Sequence, residues 1–419
     1  MGGMVCSRAR RAGLIAARLW PAMPWRYEAG RRDLRLDLLR GFAVIAMVAD
    51  HIGGERSWLY AITGADAFFV SAAEVFVFIS GLLMGIIYAG VIARQGLGAA
   101  LKKSLQRAWT LYLLTVTLTL TFIALSAQLN LGWGAKAPYA TWPDLIMSVL
   151  TLHRTFYLTD ILLLYTLLVL AAVPVLVLMV RGHTPCLLAA SWGLWTFWQL
   201  APQHAQLPWY IADNSVFNFP AWQVLFVTAM AIGYHRQRLE RRLTQVPERL
   251  VLGISGGVVA TAISVYVVFL LPASIPPTGL VDQLFGKVDL RIGRLLVFAG
   301  FFTFAFALLT LVWTPIRRVF GWLLLPLGQD ALSAYILHLF VVALAVKVRP
   351  SIFGTSPATP MQNTLFQIAG MAFIWMAIIV RPMVTTWLHT WLVKATALLA
   401  AGRAYPATPS HPTQSGAIR

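Results

Sequence analysis

The chain has few charged residues and only two cysteines. Charged side chains make up 11% of its 419 residues and hydrophobic ones 59%, a balance that is too apolar for a soluble domain of average composition. Cys6 and Cys186 lie far apart in the sequence and show neither metal-type nor redox-type spacing. A soluble fold, a disulfide framework and a zinc site are therefore not expected.

Motifs typical of soluble enzymes are missing as well. The sequence has no Walker-type glycine loop, no dinucleotide-binding glycine fingerprint, no His-Glu-x-x-His and no Gly-x-Ser-x-Gly. We therefore expect no permanently bound cofactor and no metal. Any chemistry has to use side chains inside the membrane.

Apolar runs dominate the sequence instead. Runs near the length that crosses about 30 Å of hydrocarbon recur from one end to the other and predict an all-α polytopic membrane protein. About ten transmembrane helices are expected, near residues 37–52, 65–92, 108–127, 158–180, 186–200, 216–234, 250–271, 292–313, 320–346 and 365–380. They form one predicted domain over residues 37–400, between a basic tail at 1–36 and a disordered tail at 401–419.

Basic residues give the chain a net charge of +18. They cluster in the N-terminal tail and in the loops predicted after helices two, six and eight, rather than along a soluble face. The positive-inside rule places these loops, and with ten helices both termini, in the cytoplasm. The charge therefore indicates a multi-pass protein surrounded by membrane lipids, and no nucleic-acid partner is expected.

Two ionisable residues stand out in the first predicted helix. Arg40 and His51 are eleven residues apart, which on a helix is about 20° beyond three full turns and a rise of about 16 Å. They therefore share one face at different depths. Because ionisable residues are costly in lipid, such a pair is typical of a cavity or a reaction path.

Carboxylates accompany this pair. Asp37 lies three residues before Arg40, close enough for an ion pair within one turn, and Asp50 precedes His51. Glu74 lies in the second apolar helix and needs a cation or an imidazole as its partner, for which Arg40 and His51 are candidates. A helix-to-helix ion pair that only fixes the packing explains Glu74 equally well.

A late predicted helix carries Tyr335 and His338 within one turn of each other. They are candidates to line the same cavity as the first helix. A hydrogen-bonded core histidine is nevertheless the commoner explanation of a single histidine on an apolar helix.

Three segments together resemble a known family. They are Arg35-Leu36-Asp37-Leu38-Leu39-Arg40-Gly41 leading to Asp50-His51, then Ala73-Glu74-Val75-Phe76-Val77-Phe78-Ile79-Ser80-Gly81, and Arg107-Ala108-Trp109. The chain resembles OpgC-type proteins, which succinylate osmoregulated periplasmic glucans, over essentially its whole membrane region. It is also similar to the wider membrane acyltransferase-3 superfamily, in which an arginine and a histidine separated by ten residues in the first helix are a signature.

The resemblance implies transfer of an acyl group, for OpgC-type proteins succinyl, from cytoplasmic acyl-coenzyme A to a sugar hydroxyl of a periplasmic glucan, in the bacterial inner membrane. His51 is then the expected general base, since imidazole titrates near neutral pH, with Glu74 or Asp50 orienting it. Arg40, with Arg107 or Lys103, is expected to hold the anionic donor. Acyl-coenzyme A is a co-substrate and the glucan is the acceptor.

The main alternative is a proton-coupled secondary transporter or a flippase for a glycan or a small anionic substrate, because buried Arg, His and Glu also serve transport. The two matching halves common in transporters are not evident in the sequence. A purely structural membrane protein is a third possibility, although Glu74 and His338 inside apolar helices argue against it.

Overall fold

A computed structural model describes residues 32–54, 56–64, 69–131, 137–214, 216–243, 245–270, 279–354 and 358–402. The basic tail expected at 1–36 lies outside these residues except for its last five. The tail expected at 401–419 lies outside them except for its first two. The predicted domain boundaries stay predictions.

The described residues fold into α-helices and contain no β-strand. The helices are α1 (Leu34–Ile52), α2 (Tyr60–Thr63), α3 (Ala72–Leu129), α4 (Trp142–Leu150), α5 (Asp160–Val180), α6 (Thr184–Leu200), α7 (Phe219–Tyr234), α8 (Arg236–Leu243), α9 (Glu248–Val265, continued by a π-helical turn at Tyr266–Leu270), α10 (Gly279–Phe285), α11 (Ile292–Leu311), α12 (Trp313–Gln329), α13 (Ala331–Phe353) and α14 (Pro360–Gly402).

Among the described residues, six helices are long and apolar enough to cross a membrane: α3, α5, α9, α11, α13 and α14. The chain is thus an all-α multi-pass membrane protein, as the sequence predicts. The exact number of ten transmembrane helices stays a prediction. We refer to the two ends of α1 as the Arg35 end and the Gly53 end.

The second and third predicted helices are parts of one long helix. The loop expected between residues 92 and 108 is helical, and α3 bends at Gly96, whose φ of 82° is a left-handed conformation that glycine adopts without a Cβ clash. The basic residues of this stretch, among them Lys103 and Arg107, therefore project from a helix and not from a loop.

The ninth predicted helix, at residues 320–346, is divided at Asp330 into α12 and α13. Pro326 explains part of this, because it has no N–H to donate to the carbonyl of Trp322. The indole N–H of Trp375 donates to that carbonyl instead, at 3.2 Å. The division separates α12, which packs on α1, from α13, which carries Tyr335 and His338.

Helices α1 and α12 touch through their backbones. A side chain on Gly41 would overlap the carbonyl of Leu324, and one on Gly328 would overlap the carbonyl of Asp37. Small residues permit such close packing in membranes, where helix association depends on van der Waals contact. This contact fixes the Arg35 end of α1 and therefore the position of Arg40.

Candidate functional site

The two histidines meet at the Gly53 end of α1. His51 Nδ1 lies 3.0 Å from Nε2 of His338 on α13, and the two rings stack with their centroids 5.1 Å apart. His338 is fully buried, and its Nδ1 is hydrogen-bonded to the backbone carbonyl of Tyr335. The interpretation that His338 lines the same site as helix one therefore agrees with the geometry.

These contacts determine the tautomers of a neutral histidine pair. A carbonyl oxygen only accepts, so Nδ1 of His338 carries the proton and its Nε2 is an acceptor. His51 must then donate from Nδ1 to His338. The lone pair of His51 consequently lies on Nε2, the nitrogen that faces away from His338.

Tyr335 anchors the helix segment that carries His338. Its hydroxyl donates to the backbone carbonyl of Leu158, in the turn that precedes α5. Because the same residue supplies the carbonyl that holds His338, α13 presents His338 to His51 from a fixed position. Tyr335 thus acts on the site through its backbone and through its packing.

Asp50 lies beside His51 and accepts a hydrogen bond from Thr63 Oγ1 at 2.8 Å. The turn that follows is tied to α14, where Gln367 Nε2 donates to the Gly53 carbonyl at 2.9 Å. Gln367 also bonds to the Tyr60 hydroxyl at 2.9 Å, and Tyr60 in turn donates to the carbonyl of Gly54. A connected polar network therefore holds the Gly53 end in one conformation.

Arg40 lies near the other end of α1. In the part of the chain that the structure describes it forms neither a hydrogen bond nor an ion pair, and its Nε is buried without a partner. The ion pair expected between Asp37 and Arg40 is absent, because Asp37 is paired with Arg32 at 2.5 and 2.9 Å. A partly buried guanidinium with open hydrogen-bonding capacity fits an anionic ligand.

The other candidate donor residues lie on α3. Arg107 is close enough to Arg40 to interact with it electrostatically, and it is exposed. Lys103 is one turn earlier on the same helix and is also exposed. The structure thus brings Arg107 into the electrostatic field of Arg40, while Lys103 stays a candidate by its place on the helix.

Glu74 contacts neither Arg40 nor His51, the two partners that the sequence suggested. Its fully buried carboxylate forms an ion pair with Arg294 of α11, and it also accepts the Ser71 hydroxyl at 2.6 Å and the Ser71 amide at 2.9 Å. The Ser71 bonds make a capping box at the start of α3. Both oxygens of Glu74 are engaged in packing contacts, and its expected role in supporting His51 stays a prediction.

A partly open cavity of about 630 Å³ lies along a different face of α1, where Leu39, Phe42, Ala43 and Ala46 line it together with residues of α2, α3, α9 and α11. Neither Arg40 nor His51 lines it. The first helix therefore presents an apolar cavity on one face and its two signature side chains on another.

Sequence reasoning missed Arg294, which pairs with Glu74, and two polar residues of α14, Gln367 and Asn363, which donate to the carbonyls of Gly53 and Arg56. Arg294 is an arginine inside an apolar run, and this is the same signal that singled out Glu74. Asn363 and Gln367 are four residues apart on α14, but short polar residues at the end of an apolar segment are too common to identify a site. Their importance depends on which neighbours they meet.

A comparison with protein-family models gives one match, to the family described as OpgC protein, over residues 32–389. No curated protein and no solved structure matches the chain. The match spans the helices that carry Arg40, His51, Glu74, Arg107 and His338. The chain therefore belongs to the OpgC protein family, and this membership indicates a membrane transferase of the acyltransferase type.

Proposed function

We propose that the protein is a transmembrane O-acyltransferase of the bacterial inner membrane and a member of the acyltransferase-3 superfamily. It moves an acyl group, by the family resemblance succinyl, from cytoplasmic acyl-coenzyme A to a hydroxyl of a periplasmic glucan. The observation that carries this proposal is the contact between His51 and His338, because it gives a histidine at one end of α1 a defined basic nitrogen.

In the proposed reaction, Nε2 of His51 takes the proton of the acceptor hydroxyl while that oxygen attacks the thioester carbonyl. The carbon–sulfur bond breaks, an ester forms, and the coenzyme A thiolate leaves and takes up the proton from His51. His338 does not touch the substrates in this scheme. It is a positioning residue that keeps a proton on Nδ1 of His51 and therefore the lone pair of that ring on Nε2.

Arg40 holds the donor in the same scheme. Its unpartnered guanidinium lies about 16 Å from His51 along the helix, as estimated from the rise per residue, and this is similar to the length of an extended pantetheine arm. Phosphate groups bound at the Arg35 end, with Arg107 nearby and Lys103 one turn earlier on α3, would therefore leave the thioester near His51.

The proposed orientation places the Arg35 end in the cytoplasm. Basic segments that are distant in sequence gather there: Arg236, at the start of the basic stretch after α7, lies 3.5 Å from Asp33, and Arg107 interacts with Arg40. By the positive-inside rule this end faces the cytoplasm, where acyl-coenzyme A is available. His51 then lies toward the periplasmic acceptor.

The test uses the full chain purified into lipid nanodiscs, with radiolabelled succinyl- or acetyl-coenzyme A and an unsubstituted neutral glucan. We expect label in the glucan as an alkali-labile ester, and His51→Gln should lower this transfer by about 10²- to 10⁴-fold without unfolding the protein. His204→Gln, at an exposed histidine, is the matched control and should retain activity.

Two results would contradict the proposal. One is near-normal turnover by a folded His51→Gln variant. The other is the absence of ester formation by the wild type together with proton-driven uptake of glycan or anion into proteoliposomes, which would favour the transporter alternative.

A further inference from the structure

Aromatic side chains gather on three loops of the chain. Tyr139 and Trp142 are 41% and 57% exposed, and their ring centroids lie 5.9 Å apart. His153 is exposed as well, and its ring centroid lies 6.2 Å from that of Trp209, which is partly buried. We call these four residues the aromatic surface. Exposed rings that lie together are typical of a place where a partner binds.

A buried ion pair holds the three loops together. Arg154 Nη1 lies 2.7 Å from Asp213 Oδ2, and it also donates to the carbonyl of Ala137 at 2.9 Å. A backbone bridge between Arg154 and Ala212 joins the second loop to the third. All of these residues belong to the stretch 137–214, which the structure describes without a gap. The loops therefore carry their rings in a preorganised arrangement.

The rings are held in place and have unused polar edges. The guanidinium of Arg154 lies over one face of the Tyr139 ring, 5.7 Å from its centroid. The Tyr139 hydroxyl and the Trp142 indole N–H form no hydrogen bond with the part of the chain that the structure describes. An aromatic belt that only anchors a protein in the membrane interface needs no such fixed framework. Fixed rings with open polar edges instead suit a ligand that has both apolar faces and hydroxyl groups.

We infer that the aromatic surface binds sugar rings of the saccharide acceptor. The C–H groups on one face of a sugar ring pack against an aromatic face, while its hydroxyls bond to the open edges of Tyr139 and Trp142. The charge of Arg154 is matched by Asp213, and the exposed Asp144 adds a negative charge two residues after Trp142. An anionic polymer is repelled by that carboxylate, so the surface favours a neutral saccharide.

The position of the surface fits this role, which rests on the proposed function. The loop that carries His153 continues to Leu158, whose carbonyl accepts from the Tyr335 hydroxyl. The carbonyl of Tyr335 in turn holds His338 against His51. Five residues span at most about 18 Å, so the surface lies within that distance of the segment that positions the histidine pair. An acceptor of several sugar units can therefore bind to the surface and still present a hydroxyl to His51.

The test is binding of an unsubstituted neutral glucan oligosaccharide to the full chain in nanodiscs, without any acyl donor. Trp142→Ala should weaken binding by about fivefold or more, because it removes the ring with its stacking face. Trp142→Phe keeps an aromatic face and should retain most of the affinity. Trp322→Ala, at a ring on α12 that is 61% exposed, is the matched control and should bind like the wild type.

Chain length and kinetics give two further measurements. The wild type should bind an oligosaccharide of several units more tightly than glucose, because separate rings contact separate units. Tyr139→Ala and Trp142→Ala should both reduce this difference. In transfer assays both variants should raise the KM for glucan and leave the KM for acyl-coenzyme A unchanged, which also shows that they are folded.

Glucan affinity that is equal in the wild type, Tyr139→Ala and Trp142→Ala would overturn the inference. A lower Tm of these variants together with unchanged glucan affinity would assign the rings to anchoring in the membrane interface.

The same assays distinguish this failure from failure of the proposed function. Wild type that binds glucan through Trp142 but never acylates it would retain the saccharide surface and remove the transferase. Wild type that acylates glucan, with the same KM for glucan in Tyr139→Ala and Trp142→Ala, would do the reverse.

Discussion

Two arginines inside the helical bundle differ in what surrounds them. Arg294 forms a buried ion pair with Glu74, which also accepts from Ser71, although Arg294 Nη2 is buried without a hydrogen-bond partner. Arg40 forms no ion pair in the described chain, since the nearby Asp37 is bonded to Arg32, and its Nε is buried and unpartnered. A matched buried pair contributes to the specificity of packing, while a buried charge without an ion pair is a candidate for binding a ligand.

The same contrast applies to histidine and glutamate. His51 is hydrogen-bonded to His338, and in the proposed reaction it is the base, whereas both oxygens of the Glu74 carboxylate accept from donors. We therefore assign the Glu74–Arg294 pair to folding and the Arg40, His51 and His338 group to function. Each of the following predictions tests one side of this division.

The largest effect is expected from breaking the matched pair. Glu74→Gln leaves Arg294 buried without a counter-charge and should lower the free energy of unfolding by about 3–5 kcal/mol. The double variant with Arg294→Gln no longer has an unpaired buried charge and should regain part of the lost free energy of unfolding. The control is Glu240→Gln, in the more exposed pair with Arg236. It should lower the free energy of unfolding by less than about 1 kcal/mol. The measurement is denaturant unfolding in micelles.

A fully stable Glu74→Gln protein that has lost acyl transfer would reverse the assignment. It would return Glu74 to the catalytic role that the sequence suggested.

The next effect concerns the histidine pair. His338→Leu removes the acceptor for His51 Nδ1 and should lower kcat by about one to two orders of magnitude, the cost of one buried hydrogen bond. His338→Gln offers an amide oxygen in its place and should retain more activity, with a shifted pH–rate profile. Steady-state kinetics of both variants provide the measurement. Equal kcat values, or changes confined to KM, would contradict the positioning role.

Conservative changes at the two arginines separate binding from folding. Arg40→Lys keeps the charge but loses the planar fork, so the Kd for the acyl-coenzyme A donor should rise about tenfold with little change in stability. Arg294→Lys is the counterpart and should lower stability while leaving donor affinity unchanged. Donor titration of the nanodisc protein measures both. Equal donor affinity in Arg40→Lys and wild type would remove Arg40 from the donor site.

The smallest effect is expected at His235, which belongs to neither group and bonds to Thr184 at 2.8 Å. Burial, with the charge of Arg238, lowers the pKa of His235 below its ordinary value of about 6.5. His235 therefore binds a proton more readily in the unfolded chain than in the folded one. Its contribution to the free energy of unfolding is fully present above about pH 6.5, the ordinary pKa of histidine, and is lost as the pH falls through the folded-state pKa. His235→Asn should narrow the Tm difference between pH 7.5 and pH 5 and leave acyl transfer unchanged. A Tm difference equal to that of wild type would contradict this.

Much of the architecture follows from local patterns in the sequence. Long apolar runs predict membrane helices, because the backbone in lipid must satisfy its own hydrogen bonds within one segment. The shared face of Arg40 and His51 follows from helical periodicity alone. Proline also favours a break in a helix, but the helix predicted at 320–346 runs through Pro326 without one.

The partners of the polar side chains were decided by tertiary structure. Glu74 meets Arg294 from 220 positions away, and His51 meets His338 from 287. Periodicity states which face of a helix a side chain occupies, but not which other helix packs against that face. The sequence by itself determined the membrane class, the all-α fold and the candidate residues. Only the packing of the helices decided which charges are matched and which remain open, because the low dielectric of the interior makes that depend on contacts of a few ångströms.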